Sequence, residues 1–196
     1  MEGLEESVKK AADAMSSLEK DKEAAIRSSR AVLRLSKRSI HAIHSGEDPS
    51  SSLGEMSAAL DALLESCNDP AVLMCGPVQD CMCEYAEAAI LHAAVSGARI
   101  PGHEDLRLTP SAWILGLCDC EGELRRMVTS CLMDGDVGSA KKMFQMMEKV
   151  HGQVMSFDVP DAMAPVRRKQ DVARGVMDKT RSDMLYATLS RRRATN

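Results

Sequence analysis

The sequence predicts an all-α chain, a bundle of six or seven helices around one core. Three observations predict it. Only 3% of the residues are aromatic although 44% are hydrophobic, and 14 are methionine; strands are instead enriched in aromatic and β-branched residues. Helix-start signals recur along the chain, a capping or turn residue followed by proline: Asp48-Pro49, Asp69-Pro70, Gly76-Pro77 and Thr109-Pro110. The stretches between periodic segments are short, as in helix bundles.

Taken in order, a first long helix covers about residues 5–45 and ends at Gly46. Asp48-Pro49 opens a second, which ends near Asn68. Asp69-Pro70 repeats the signal, and Gly76-Pro77 competes with it for the start of the third helix, which runs to about Ser96. Residues 97–107, with Pro101 and Gly102, read as a loop. Thr109-Pro110 caps a fourth helix reaching about Met133. Gly135-Asp136 makes a turn, and a fifth helix runs to about Phe157. Pro160 and Pro165 bracket a connection to a last helix from Arg167 to about Leu189. Arg191, Arg192 and Arg193 lie in a basic tail, about 190–196, expected to fray. With no Gly/Ser-rich linker and no internal repeat, residues 1–196 read as one domain.

The formal net charge of −4 excludes a strongly basic, whole-surface nucleic-acid binder, so any such role needs a local patch. The seven cysteines are an odd number. The start, MEGLEESVKK, is charged and lacks the apolar core of a signal peptide. No run of about 18 apolar residues is present to span a membrane. The expectation is a cytoplasmic, reduced chain with no membrane partner.

Chemistry-bearing residues fall at helical spacing. Glu84 and Glu87 are three apart, in CEYAE, and share one helix face. Asp119 and Glu123 are four apart, in CDCEGE, on the stripe Ala112, Gly116, Asp119, Glu123, Arg126. The small residues on that stripe would let another helix backbone approach. The adjoining stripe, Trp113, Leu117, Cys120, Leu124, Met127 and Cys131, is apolar and should face the core. Two helices each offering two carboxylates can converge on a hard dication such as Mg²⁺ or Mn²⁺, which prefers oxygen ligands and can activate water against a phosphodiester. The competing reading is a solvated, salt-bridged face, the usual fate of acid pairs on helices; the apolar setting of both pairs argues against it.

On the first helix Arg27, Arg30, Arg34, Lys37 and His41 recur at spacings of three and four, with Arg38 beside them. Such a stripe can track a phosphate backbone, though charge runs are commonly just solvated faces. With so few aromatics, base stacking contributes little, and binding should depend strongly on salt and weakly on sequence.

At these residues the chain resembles the translin/Trax family. The matching stretches are SRAVLRLSKRSIHAIHSG (29–46), EYAEAAILH (84–92), LTPSAWILGLCDCEGELRRM (108–127) and VRRKQDVARGVMDKTR (166–181). Trax-like members carry E-x-x-E on one helix and D-x-x-x-E on the next; here these fall on Glu84, Glu87, Asp119 and Glu123. The resemblance implies a seven-helix fold, a hollow homo-oligomer of hexamer to octamer size, and a metal-dependent endoribonuclease acting on single-stranded RNA inside it. It implies Mg²⁺ or Mn²⁺ on the four acids, Arg27, Arg30, Arg34, Lys37 and Arg38 on RNA phosphates, and Arg125 or Arg126 near the scissile group. Products with a 5′-phosphate and a 3′-hydroxyl follow from the same pattern. Retention of all four acids places the chain nearer Trax, and the short 97–107 loop suggests a compact archaeal-type member. The alternative within the family is a non-catalytic translin-like protein binding RNA or single-stranded DNA.

Other classes fit the residues less well. A di-iron bundle needs Glu-x-x-His, and the residues three beyond Glu84 and Glu87 are Glu87 and Ile90. Nucleotide pyrophosphohydrolases of the MazG type expect a second E-x-x-D pair, where D-x-x-x-E stands here. Cys81/Cys83 and Cys118/Cys120 form C-x-C pairs, but residues two apart on a helix point about 200° from each other and cannot grip one zinc; they read as small core residues, as the methionines read as core filler. His92 reads as a core residue and His103 as a loop residue.

Overall fold

A computed structural model describes residues 2–194. Among these the chain forms α1 (Leu4–Ser45), α2 (Ser50–Ser66), α3 (Pro70–Leu73), α4 (Gly76–Ser96), α5 (Pro110–Met133), α6 (Val137–Ser156) and α7 (Val166–Ala194), and no strand.

The caps explain the boundaries. Gly46 ends α1 in the left-handed region, φ 72°, and lets the Glu47 amide return to the Ala42 carbonyl at 2.9 Å. Asp48 accepts from the Ser50 amide at 3.0 Å, so α2 starts one residue beyond Pro49, which stands as the N-cap instead of at the first helical position. The helix also stops at Ser66, short of Asn68. Both competing signals of the third helix are used: Asp69 accepts from the Ala71 amide at 2.7 Å and starts the single turn α3, and Gly76-Pro77 starts α4. Thr109 accepts from the Ala112 amide at 3.2 Å at the start of α5, and Asp136 from Ser139 at 2.9 Å at the start of α6. The last helix runs past Leu189 to Ala194, since no Gly or Pro interrupts the sequence there. Residues 195–196 of the expected basic tail lie outside the described residues.

Helix α5 is central, packing on α4, α6 and α7, while α1 lies across α2 and α4. Met56, Leu60, Leu63, Met82, Ile90, Leu91, Leu124, Met147 and Met177 are fully buried between them. Not every methionine is filler: Met15, Met74, Met133 and Met163 are exposed. The α4–α5 crossing is set by Gly116. A Cβ there would lie 2.6 Å from both the Ala86 Cβ and the Cys83 carbonyl oxygen, and 2.9 Å from the Glu87 nitrogen. The small-residue stripe thus brings the two acid-bearing helices into backbone contact. The first part of α1 projects beyond the bundle. Every residue from Leu4 to Ala24 other than Leu18 is exposed, and Ala25 is the first buried one. None of the helices is long and apolar enough to cross a membrane among the described residues.

Candidate functional site

At the Gly116 crossing the two acid pairs face one another. Glu84, Glu87 and Glu123 line a pocket of about 440 Å³ with Lys37, Ile40, His41 and Arg126. Asp119 does not line it and instead lines a cleft between α5 and α7. It still belongs to the same electrostatic cluster, for it is the strongest of the charges acting on Glu87.

Each acid has a distinct environment. Ser36, on the buried face of α1, donates to Glu84 at 2.9 Å. Glu123 is hydrogen-bonded by His44 Nε2 and lies 3.5 Å from Arg126; the His44 bond, with the charges of His44 and Arg126, holds its carboxyl below the usual range. Asp119 pairs with Lys169 of α7. Glu87 is 8% exposed, and no hydrogen bond helps its charge among the described residues. Burial, and then Asp119, Glu84 and Glu123, push its pKa up to about 8, with Lys169 offsetting part of this.

The donor set is all carboxylate, the chemistry that suits Mg²⁺ or Mn²⁺. Burial first, and then mutual repulsion, keep a proton on Glu87; a dication would relieve the repulsion. As the side chains stand, however, no three His, Cys, Asp or Glu residues converge closely enough to hold an ion among the described residues. The partners give the reason: Asp119 is turned to Lys169 and Glu123 to His44. An ion would have to take these carboxylates from their present partners. The residues fit the group in kind, as carboxylates, while their present positions do not converge on an ion.

The basic stripe leads into this pocket. Arg30, Arg34 and Lys37 are exposed and make no ion pair among the described residues, and Lys37 and His41 line the pocket wall. Arg27 and Arg38 do have partners, Glu23 at 3.6 Å and Glu55 at 3.8 Å. Exposed pairs of this kind are worth little and yield readily to phosphate. The opposite face of α1, with Ser29, Val32, Ser36 and Ser39 buried, fixes the outward aim of the cations. Of the two arginines expected near the scissile group, only Arg126 qualifies. Arg125 is turned away to Asp183 of α7 with its side chain 16% exposed.

Sequence reasoning missed Ser36, His44 and Lys169, which hold three of the four acids, because contacts between distant helices leave no spacing signal. It also passed over Glu121, which is 1% exposed and bonded to His151 Nδ1 of α6 at 2.9 Å. Here a signal existed: Glu121 lies on the apolar stripe Leu117, Leu124, Val128, where an acid must find a partner. The cysteines are all free. Burial pushes the thiols of Cys81 and Cys83 up to about 12 and Cys118 up to about 11, which leaves them protonated core groups. His92 and His103 are both half-buried.

The sequence profile of the translin family matches residues 59–187, more than half of the chain. The chain belongs to the translin family. The matched span of this translin-family chain includes both acid pairs and leaves out the α1 stripe. Its fold is shared with solved structures. The crystal structure of AfC3PO is 31% identical, covers 94% of this chain and 98% of that one, and superposes with a TM-score of 0.84. The structure of an AfC3PO–duplex RNA complex is also 31% identical, with 94% and 97% coverage and a TM-score of 0.79. Apo-NeC3PO, at 21% identity, 92% and 96% coverage and a TM-score of 0.78, shares the fold alone. An uncharacterized protein of Methanocaldococcus jannaschii is 33% identical over 103 residues, which are 52% of this translin-family chain and 46% of that relative, so the match spans under half the relative's length.

Proposed function

We propose that this translin-family chain is a metal-dependent endoribonuclease of the Trax-like kind, cutting single-stranded RNA in the cytoplasm inside a homo-oligomeric shell. One observation carries the reading: carboxylates from two facing helices share a pocket with Lys37 and Arg126, at the end of an exposed basic stripe. Anionic ligands for a cation and cationic ligands for a phosphate are what a phosphodiester centre needs together.

Glu84, Glu87, Asp119 and Glu123 would hold one or two Mg²⁺ or Mn²⁺ ions. Bound there, a dication supplies Lewis-acid polarisation of the scissile phosphodiester and lowers the pKa of water. The chain's own groups do the rest. Arg27, Arg30, Arg34, Lys37 and Arg38 hold the strand by its phosphates. Lys37 and Arg126 draw a phosphate over the acids and offset its charge. His44 holds Glu123 in its charged form. The same backbone contacts would accept single-stranded DNA. Free cysteines suit a reducing compartment.

The related AfC3PO is known in a complex with duplex RNA, so strandedness belongs in the test. Labelled single-stranded and duplex RNA are incubated with wild type and Glu123→Ala, with Mg²⁺, Mn²⁺ or EDTA. The expected result is metal-dependent cleavage of the single strand that falls about 100-fold or more in Glu123→Ala, the scale of losing one electrostatic contributor. A second reading, a non-catalytic translin-like RNA- or single-stranded-DNA-binding subunit, is favoured by the engagement of Asp119 and Glu123 with Lys169 and His44. RNA bound tightly and left intact in every metal would establish it.

A further inference from the structure

A second cleft, of about 460 Å³, opens between α5 and α7 on the other side of Asp119. That lies in the range of small-ligand sites, about 300–1,000 Å³. One wall is aliphatic, formed by Pro165, Val172, Ala173 and Val176. Val172 is 62% exposed within a helix otherwise rich in charge. At the rim stand Lys169, committed to Asp119, and Arg168, which is exposed and has no ion pair among the described residues. Glu121 contributes to the lining, but its Oε2 is buried, without a hydrogen-bond partner among the described residues, and is not open to the cleft. The Asp119–Lys169 pair lines this cleft, and the charges of both residues act on Glu87 of the acid pocket.

A small aliphatic slot with an exposed cation at its mouth matches the base face and the phosphate of a nucleotide. The phosphate is met by the guanidinium, which can bind it with two donors. A base presents an apolar face to an aliphatic wall in a chain with few aromatics to stack on. We propose that the α5–α7 cleft is a subsite for one nucleotide of the bound RNA, adjacent to the scissile phosphate, with its own phosphate on Arg168 and its base against Val172 and Val176. The subsite rests on the RNA reading above and extends the footprint from α1, across the acids, to α7.

The test uses the full chain with a labelled single-stranded RNA at several salt concentrations. The variants are Arg168→Ala and Val172→Asp, both at exposed positions, with Lys37→Ala on the α1 stripe for comparison. Binding of adenosine 5′-monophosphate and of ribose 5-phosphate is compared by saturation-transfer NMR. Arg168→Ala should weaken RNA binding about 5- to 10-fold and lower the salt slope by about one. Val172→Asp should abolish the mononucleotide signal, and the ribose phosphate should bind more weakly than the nucleotide. Unchanged RNA affinity in Arg168→Ala and Val172→Asp, with loss in Lys37→Ala, would overturn the subsite and leave the RNA reading standing. Substitutions in the cleft that alter particle mass but not RNA affinity would make it a contact between copies, and overturn the proposal. A wild type that binds no RNA would remove both.

Discussion

Glu87 keeps its proton at neutral pH because it is buried and faces three other carboxylates. Its pKa of about 8 stands above the ordinary 4.5, so between those values the folded protein holds a proton that the unfolded chain has lost. The stabilising contribution is therefore complete below about pH 4.5 and falls as pH rises through 8. In chelator, Glu87→Gln should remove this dependence. It should be more stable than wild type by about 2 kcal/mol at pH 9, a part of the roughly 1.4 kcal/mol per unit that the shift represents. The difference should shrink toward pH 6. Chemical denaturation across that range measures it, and parallel pH profiles for the two proteins would show that Glu87 is an ordinary carboxylate. The residue types and spacing of the four acids were legible in the sequence. Which of them would be buried, and that Ser36, His44 and Lys169 would hold the others, was not, because each partner sits on a different helix far along the chain.

At the scale of elements, the α4–α5 contact places the chemistry. Gly116 is required there because the atoms a Cβ would meet are largely backbone, which cannot move aside as a flexible side chain can. Gly116→Ala should cost about 1–3 kcal/mol through overpacking and push the acid pairs apart. Gly152→Ala, in α6 with open space at its Cβ, should be neutral or stabilise by up to about 1 kcal/mol. Denaturant midpoints for the two variants check this pair of expectations. A Gly116→Ala protein as stable as wild type would mean that the helices are not in contact. The small-residue stripe announced this crossing in the sequence, as Thr109-Pro110 and Gly76-Pro77 announced the two helices. The separate turn α3 was harder to read, since two start signals close together leave room for one helix or two. The end of α7 was misplaced because nothing in the sequence marks a stop.

The whole molecule leaves much apolar surface uncovered. Leu4, Val8 and Met15 form one stripe on the projecting part of α1, and Leu185, Tyr186 and Leu189 are exposed near the end of α7. Long exposed apolar stripes on helices usually pack against another chain, and the homo-oligomer proposed above would cover these. Light scattering after size exclusion should give a particle of hexamer to octamer mass, and Val8→Asp with Met15→Asp should reduce it. A monomer in wild type would contradict the enclosed-shell part of the proposal. The family and its bundle were legible from four stretches of sequence, whereas the α5–α7 cleft was not, since it is made by helices joined only through tertiary packing.

The central claim is that the four carboxylates form a dication site, and the most direct test is thermal unfolding of the wild type and Asp119→Asn with and without Mn²⁺, at pH 6 and pH 8.5. A ligand that binds only the folded state raises the melting temperature, and carboxylates must lose their protons to bind. The account predicts a rise with Mn²⁺ in the wild type that is larger at pH 8.5, where Glu87 has lost its proton, and is absent in Asp119→Asn. A melting temperature that ignores Mn²⁺ at both pH values, or rises equally in the variant, would contradict it.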